Sequence, residues 1–207
     1  MTTNDLKTAL VFAAVFFLWA LVHSLLASLT VKRFAERYLG RFYAFYRLFY
    51  VVFALASLAA VWLAVPQPRG SVYQAGGVFF IILKGIQTLA LIGFLFAGSQ
   101  FNMEDFLGIS AARRFHSARL EPNPPEPLNT GEFFSYVRHP LYLLGMIIFW
   151  SDPEMTLSWF TLSLAVTIYL VAGSFFEERK LIAIYGDEYR EYRRRVRRFL
   201  PIRRKST

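Results

Sequence analysis

The stretch 141-LYLLGMIIFWSDPEMTLSWFTLSLAVTIYLVAGSFF-176 decides the fold. Two strongly apolar runs, 141–150 and 155–176, are separated by 151-SDPE-154. One membrane crossing cannot carry Asp152, Pro153 and Glu154 at its centre, because lipid offers nothing to solvate the charges or satisfy the interrupted backbone. The stretch therefore predicts a helical hairpin with a short fourth helix and a longer fifth one. A fourth helix of about 13 residues rises only about 20 Å at 1.5 Å per residue, against a hydrocarbon core of roughly 30 Å. Either it begins upstream of His139 or it leaves a dent in the cytosolic face.

Outward from the hairpin, the chain of 207 residues is 56% hydrophobic and carries apolar runs too long for a small soluble core. The first, 8-TALVFAAVFFLWALVHSLLAS-28, has His23 as its only ionisable side chain and is longer than the apolar core of a signal peptide. Next come 43-YAFYRLFYVVFALASLAAVWLAV-65, with Arg47 near its start, and 79-FFIILKGIQTLALIGFLFAG-98, with Lys84 near its start. Both cations can snorkel toward an interface. The expected fold is all-α: a polytopic integral membrane protein of about five transmembrane helices, ending in the helical hairpin and an amphipathic cytosolic tail helix.

Basic residues cluster at 30–42 (Lys32, Arg33, Arg37, Arg41), at 113–119 (Arg113, Arg114, Arg119) and after 178, whereas 66–78 holds only Arg69. The positive-inside rule then places the N-terminus outside and the C-terminus in the cytosol, as in a bacterial inner membrane. The net charge of +9 reads as a topology signal and an attraction to anionic headgroups, and much less as nucleic-acid binding. With no cysteine, disulfides, thiolate metal sites and thiol nucleophiles are excluded.

The compositional break is 120-LEPNPPEPLNTGEF-133, whose prolines forbid a continuous helix. It separates a three-span region, 1–119, from the hairpin and basic tail, 134–207, in what reads as a single domain. In the tail, 187-DEYREYRRRVRRF-199 begins with acids and ends with bases, as the helix dipole favours. Tyr189, Tyr192, Val196 and Phe199 recur at helical spacing, which suits a helix lying on the membrane surface.

Candidate chemistry gathers around the hairpin. In 136-YVRHPLYLLG-145, Pro140 at a helix start holds Arg138 and His139 beside unsatisfied backbone donors. Glu177 and Glu178 end the fifth span at the same membrane level. Consecutive helical positions diverge by about 100°, so one of the two faces the bundle, where it can pair with Arg138 or with a cationic cofactor. The plainer readings are an interfacial flank for Arg138–His139 and a solubilising pair for Glu177–Glu178. His23 lies within an apolar span, where a neutral imidazole bonded to Ser24 or to a neighbouring helix is the commoner outcome and function the sharper one. Gln87, Gln100 and 102-NMEDFLG-108 add polar groups read as lying on the cytosolic side.

RHPLYLLG followed by EERKLIAIYGDEYREYRRRVRRFLP resembles the C-terminal signature of the isoprenylcysteine carboxyl methyltransferase family over residues 128–201. HSLLAS at 23–28 and EDFLG at 104–108 more loosely resemble its bacterial branch, which includes methanethiol S-methyltransferases and NnrU-like membrane proteins. At 131-GEFFSYVRHP-140 the chain departs from the family's Gly-Pro-Tyr-Arg-Tyr-Val-Arg-His-Pro run by an added residue and the loss of that Tyr and Arg. The resemblance implies a membrane methyltransferase using S-adenosyl-L-methionine, without a Rossmann domain and without a metal. It implies cofactor contacts from His139, Tyr142, Leu143, Gly145, Glu177, Glu178, Tyr189 and Tyr192, with Gly186 completing the tail motif. Arg138, His139 and Glu177 are the implied catalytic residues, Arg138 lying near the acceptor or the cofactor carboxylate. The acceptor would be a lipophilic or small molecule: a lipidic carboxylate, a thiol or a phospholipid amine. Transfer from a sulfonium disperses charge, so positioning in a dry pocket can supply most of the catalysis, and a base such as His139 or an inward Glu is needed only if the acceptor must lose a proton. Two other classes stand beside this one: a haem protein with His23 and His139 as axial ligands, and a non-catalytic membrane scaffold.

Overall fold

The computed structural model describes residues 3–115 and 127–201. Arg119, residues 120–126 of the proline-rich loop, Arg203 and the side chain of Arg114 lie outside the described residues. The described chain is almost wholly helical and forms two compact units.

The first unit holds α1 (Thr3–Ala27), α2 (Leu29–Leu39), a 3-10 turn at Gly40–Phe45, α3 (Tyr46–Ala64), α5 (Met103–Leu107) and α6 (Ile109–Arg114). Ser28 ends α1 and starts α2: its N–H donates to the Leu25 carbonyl at 3.1 Å, and its hydroxyl accepts from Val31 N at 3.3 Å. Helices α1 and α3 run antiparallel and are joined by polar rungs. Trp19 Nε1 donates to Ser57 Oγ (2.9 Å), His23 Nε2 meets the Tyr50 hydroxyl (2.7 Å), and the Tyr46 hydroxyl donates to the Leu26 carbonyl (2.7 Å). Such bonds between apolar helices fix register where the lipid offers no hydrophobic drive for association. In the Asn102–Gly108 motif, Asn102 Oδ1 caps α5 by accepting from Glu104 N and Asp105 N. Gly108 then adopts φ 83° with its Cα so close to α3 that a Cβ would lie 2.8 Å from both Arg47 Cβ and Leu48 N. No side chain fits there, and Arg47 Nε is bonded to the Phe106 carbonyl at 2.8 Å in the same corner.

The second unit contains β1 (Ser71–Gln74), α4 (Gly77–Ser99), α7 (Pro140–Trp150), β2 (Glu154–Thr156), α8 (Leu157–Tyr185) and α9 (Asp187–Arg195). Helix α4, grouped with the N-terminal spans in the sequence, packs here against α7, which also packs against α8. Helix α7 starts at Pro140, so it does not extend upstream of His139; its 11 residues rise about 16 Å, roughly half a bilayer core. Fully buried Ser163 and Ser174, about 20° apart around α8, put small residues on its inward face. Trp159 Nε1 donates to the Phe149 carbonyl and Trp150 Nε1 to Thr167 Oγ1, each at 2.9 Å, closing the hairpin.

The turn between α7 and α8 is ordered by a two-stranded antiparallel ribbon: β2 pairs with β1, with Tyr73 opposite Met155. The Tyr73 hydroxyl donates to the Asp152 carbonyl (2.7 Å), and Gln87 Nε2 reaches the Ile148 carbonyl (3.1 Å) and Asp152 Oδ2 (3.4 Å). Gln87 therefore belongs to the end of α7 opposite His139, not to the His139 end at which the sequence grouped it. Four helices, α1, α3 with its α2 lead-in, α4 and α8, are long and apolar enough to cross a membrane, and α7 is a shorter fifth. Leucines on them lie bare, Leu63 at 83% exposure, as lipid-facing side chains do. The protein is a polytopic, all-α integral membrane protein.

Candidate functional site

The second unit assembles a buried ionic cluster from residues far apart in sequence. A 3-10 turn at Glu132–Ser135 leads into Val137, which forms a parallel bridge with Arg197. Arg138 N and His139 N donate to the carbonyls of Arg197 (2.9 Å) and Arg198 (3.2 Å). The segment before α7 and the segment after α9 are thus clasped along their backbones, which aims Arg138, His139 and Arg198 at α8. Gly186 makes the return possible: its φ of 58° caps α8 and starts α9, a conformation costly for residues with a Cβ.

Glu178 is the hub. Its Oε1 accepts from Arg138 Nε (2.9 Å) and Nη2 (2.7 Å), from Arg198 Nε (3.0 Å) and from His139 Nε2 (3.2 Å), while Oε2 accepts from Arg198 Nη2 (2.8 Å). Arg138 Nη1 donates to the carbonyls of Arg193 (3.2 Å) and Val196. Arg198 also lies 3.6 Å over the Phe175 ring. Charges removed from water in this way persist only when paired and hydrogen-bonded, and Glu178 meets that condition through Arg138, His139 and Arg198 together, with the Arg193 and Val196 carbonyls taking up the rest of Arg138.

Glu177 differs from its neighbour. The side chain is 43% exposed, and Oε2 lies 3.3 Å from His139 Nδ1 without hydrogen-bond geometry; that buried oxygen has no hydrogen-bond partner. His139 therefore has a carboxylate at each ring nitrogen. Burial opposes its charge, but the two carboxylates outweigh burial and raise its pKa above the ordinary histidine value, favouring the imidazolium. The ring stacks on Tyr142 at 5.2 Å.

Helix α9 supplies the floor. Tyr189, Tyr192 and Val196 are buried, and the Tyr192 hydroxyl donates to the Phe134 carbonyl at 2.6 Å. Burial first, and neighbouring Glu178 second, push the Tyr189 phenol up to about 12, and burial likewise raises Tyr192, so both remain hydroxyls. The Tyr189 hydroxyl is buried with no hydrogen-bond partner. The apolar face of the tail helix, expected against the membrane, is thus taken up inside the protein, and the helix ends at Arg195 rather than near 199.

The structure therefore brings Arg138, His139, Glu177, Glu178, Tyr142, Tyr189 and Tyr192 into one region of the second unit. Leu143 and Gly145 follow on α7, where a Cβ on Gly145 would meet only Phe94 at 3.9 Å. The carboxylate facing inward is Glu178, whereas Glu177 keeps access to solvent. Arg138, expected beside the acceptor or the cofactor carboxylate, has all three guanidinium nitrogens bonded within the chain. Arg198 is the residue that sequence reasoning missed: it sits in an arginine-rich run where nothing marks which arginine turns inward to Glu178. His23, by contrast, is accounted for by Tyr50 and by its stack on Trp19 at 5.1 Å.

The chain is 40% identical over 89 residues to methanethiol S-methyltransferase 1 of Bradyrhizobium diazoefficiens, covering 43% of this chain and 31% of that protein. It is 34% identical over 141 residues to methanethiol S-methyltransferase 2 of the same organism, 68% of this chain and 52% of the relative. With the protein-S-isoprenylcysteine O-methyltransferase of Schizosaccharomyces pombe it shares 30% identity over 171 residues, 72% of this chain and 70% of the yeast protein. The matches thus span a third to a half of the two bacterial relatives' lengths. No family model matches the chain, and no solved structure does. With the yeast protein matched over most of both lengths, the chain belongs to the isoprenylcysteine carboxyl methyltransferase-like family of membrane proteins.

Proposed function

We propose that the protein is an S-adenosyl-L-methionine-dependent methyltransferase of the bacterial inner membrane, acting on a small thiol or another lipophilic acceptor, with its cluster facing the cytosol. The observation that carries the reading is the convergence on Glu178 of Arg138 and His139, from the first motif of the shared signature, and Arg198, from its end. The names of the bacterial relatives favour a thiol over a carboxylate or a lipid amine.

The residues present suit the cofactor's amino-acid end. Glu177 Oε2, buried beside His139 and without a hydrogen bond, can accept from an ammonium. The opening turn of α7 offers backbone N–H groups to a carboxylate, with Pro140 at its first position and Tyr142, Leu143 and Gly145 following. When bound, the cofactor supplies a sulfonium-activated methyl group. In this reading Arg138 is a positioning residue, because its nitrogens hold Glu178 and the tail rather than a ligand. His139 orients Glu177, and Tyr189 and Tyr192 wall the region without ionising. A thiolate acceptor needs no base, and a thiol acceptor would release its proton to solvent as its sulfur–methyl bond forms and the donor's sulfonium–methyl bond breaks. Haem ligation through His139 is disfavoured because both ring nitrogens already face carboxylates.

The test is calorimetric titration of the detergent-solubilised protein with S-adenosylmethionine and S-adenosylhomocysteine, followed by methanethiol and a methyl-labelled donor. Saturable binding, weakened at least tenfold by Glu177→Gln and unchanged by Arg197→Ala, is expected, with labelled dimethyl sulfide as product. A folded wild-type protein that binds neither compound would overturn the proposal.

A further inference from the structure

Helix α2 is the amphipathic segment whose apolar side stays uncovered. Phe34, Tyr38 and Leu39 are 60%, 71% and 45% exposed, and Phe42, just beyond the helix, is 59% exposed. The Phe34 and Tyr38 rings, one turn apart, touch each other at 4.2 Å between centroids. Ala35 alone on this helix is buried. Beside the aromatic pair lie the cations: Arg33 and Arg37 are exposed and one turn apart, Lys32 precedes them and Arg41 follows. Glu36 is the one carboxylate in the stretch.

The connections of α2 say what meets this surface. Its N-terminus is one residue from the end of α1, and its C-terminus is six residues from the start of α3. Helix α1 is long enough to cross a bilayer and the 19 residues of α3 rise about 29 Å, close to the hydrocarbon thickness, but the 11 residues of α2 rise only about 16 Å. A short helix tied at both ends to crossing helices stays at the level where they leave the hydrocarbon. At that level aromatic rings are favoured among the headgroups and arginines meet phosphates.

We propose that α2 is an interfacial helix that lies on the bilayer surface at the shared end of α1 and α3, with Phe34 and Tyr38 seated among the acyl–headgroup boundary and Arg33 and Arg37 bound to anionic lipid phosphates. The assignment is independent of the methyltransferase reading. It moves the membrane-surface role from the tail helix, whose apolar face is covered by protein, to a segment that otherwise reads only as a basic loop.

Because the chain has no cysteine, single substitutions Phe34→Cys, Tyr38→Cys and Glu36→Cys label cleanly with an environment-sensitive fluorophore. Position 36 is about 200° around the helix from 34 and from 38. In vesicles of phosphatidylcholine mixed with phosphatidylglycerol, labels at 34 and 38 should be quenched by doxyl-bearing lipid and shielded from iodide, with the opposite pattern at 36. Iodide reaching 34 and 38 would overturn the proposal, and so would shielding from both quenchers, the signature of a protein partner or second copy. The preference for spin-labelled phosphatidylglycerol over phosphatidylcholine should fall about fivefold for each of Arg33→Gln and Arg37→Gln. An unchanged preference in the double variant, with an unaltered unfolding midpoint, would overturn the lipid-phosphate assignment.

Discussion

His23 shares a 2.7 Å hydrogen bond with a tyrosine and stacks on a tryptophan, whereas His139 faces a carboxylate from each ring nitrogen. The first belongs to a ladder of neutral groups that registers α1 against α3. The second belongs to an ionic hub whose cations lose their shared partner if Glu178 is removed. An ionisable side chain in a membrane protein is therefore read from its neighbours: neutral donors and acceptors mark helix registration, and converging charges mark an arrangement that holds only while every charge keeps a partner.

The largest effect should come from Glu178→Gln, which strands Arg138, Arg198 and His139 together. Loss of about 3–5 kcal/mol is expected for breaking one member of a buried ion pair, read as denaturant unfolding in mixed micelles. A loss no greater than that of Tyr50→Phe would erase the distinction between hub and ladder. Next comes Arg198→Lys, which keeps the charge but not the two-point grip on Glu178 or the stack on Phe175. A cost of about 1.5 kcal/mol is expected, with Arg198→Ala costing more.

The pH response separates the two histidines directly. Because His139 is raised in the folded protein, the native state binds the extra proton. Its stabilisation is complete below the unfolded value of about 6.5 and is lost as pH rises through the higher folded value. The unfolding midpoint should fall over that window in the wild type and in His23→Gln, and should flatten in His139→Gln. The smallest effect is Tyr50→Phe, about 0.6 kcal/mol by the same unfolding assay, typical of one hydrogen bond between membrane helices.

Much of this was legible in the sequence. The interrupting 151-SDPE-154 forced the hairpin, and Pro140 marked where α7 begins. Glu177 and Glu178 were separable in principle, since only one of two adjacent helical positions can face inward, yet which one depends on a rotation that no local signal fixes. The β1–β2 ribbon was not legible: 71-SVYQ-74 and 154-EMT-156 are too short to show alternation, and their pairing is set by the α4–α7 packing. Arg198 was hidden because the backbone clasp with 137–139, rather than the identity of the arginine, selects it from its neighbours. The tail helix misled because an apolar stripe beside arginines looks the same whether protein or lipid covers it.

The clasp between Val137 and Arg197 also sets an order of events during synthesis. Glu178 is synthesised before Arg198, since the chain is built from its N-terminal end. Through that interval the carboxylate has Arg138 and His139 as its prospective partners, and the carbonyls that will receive the N–H groups of 138 and 139 do not yet exist. A chain that ends before residue 198 would carry every apolar helix described above and still lack the finished ionic centre.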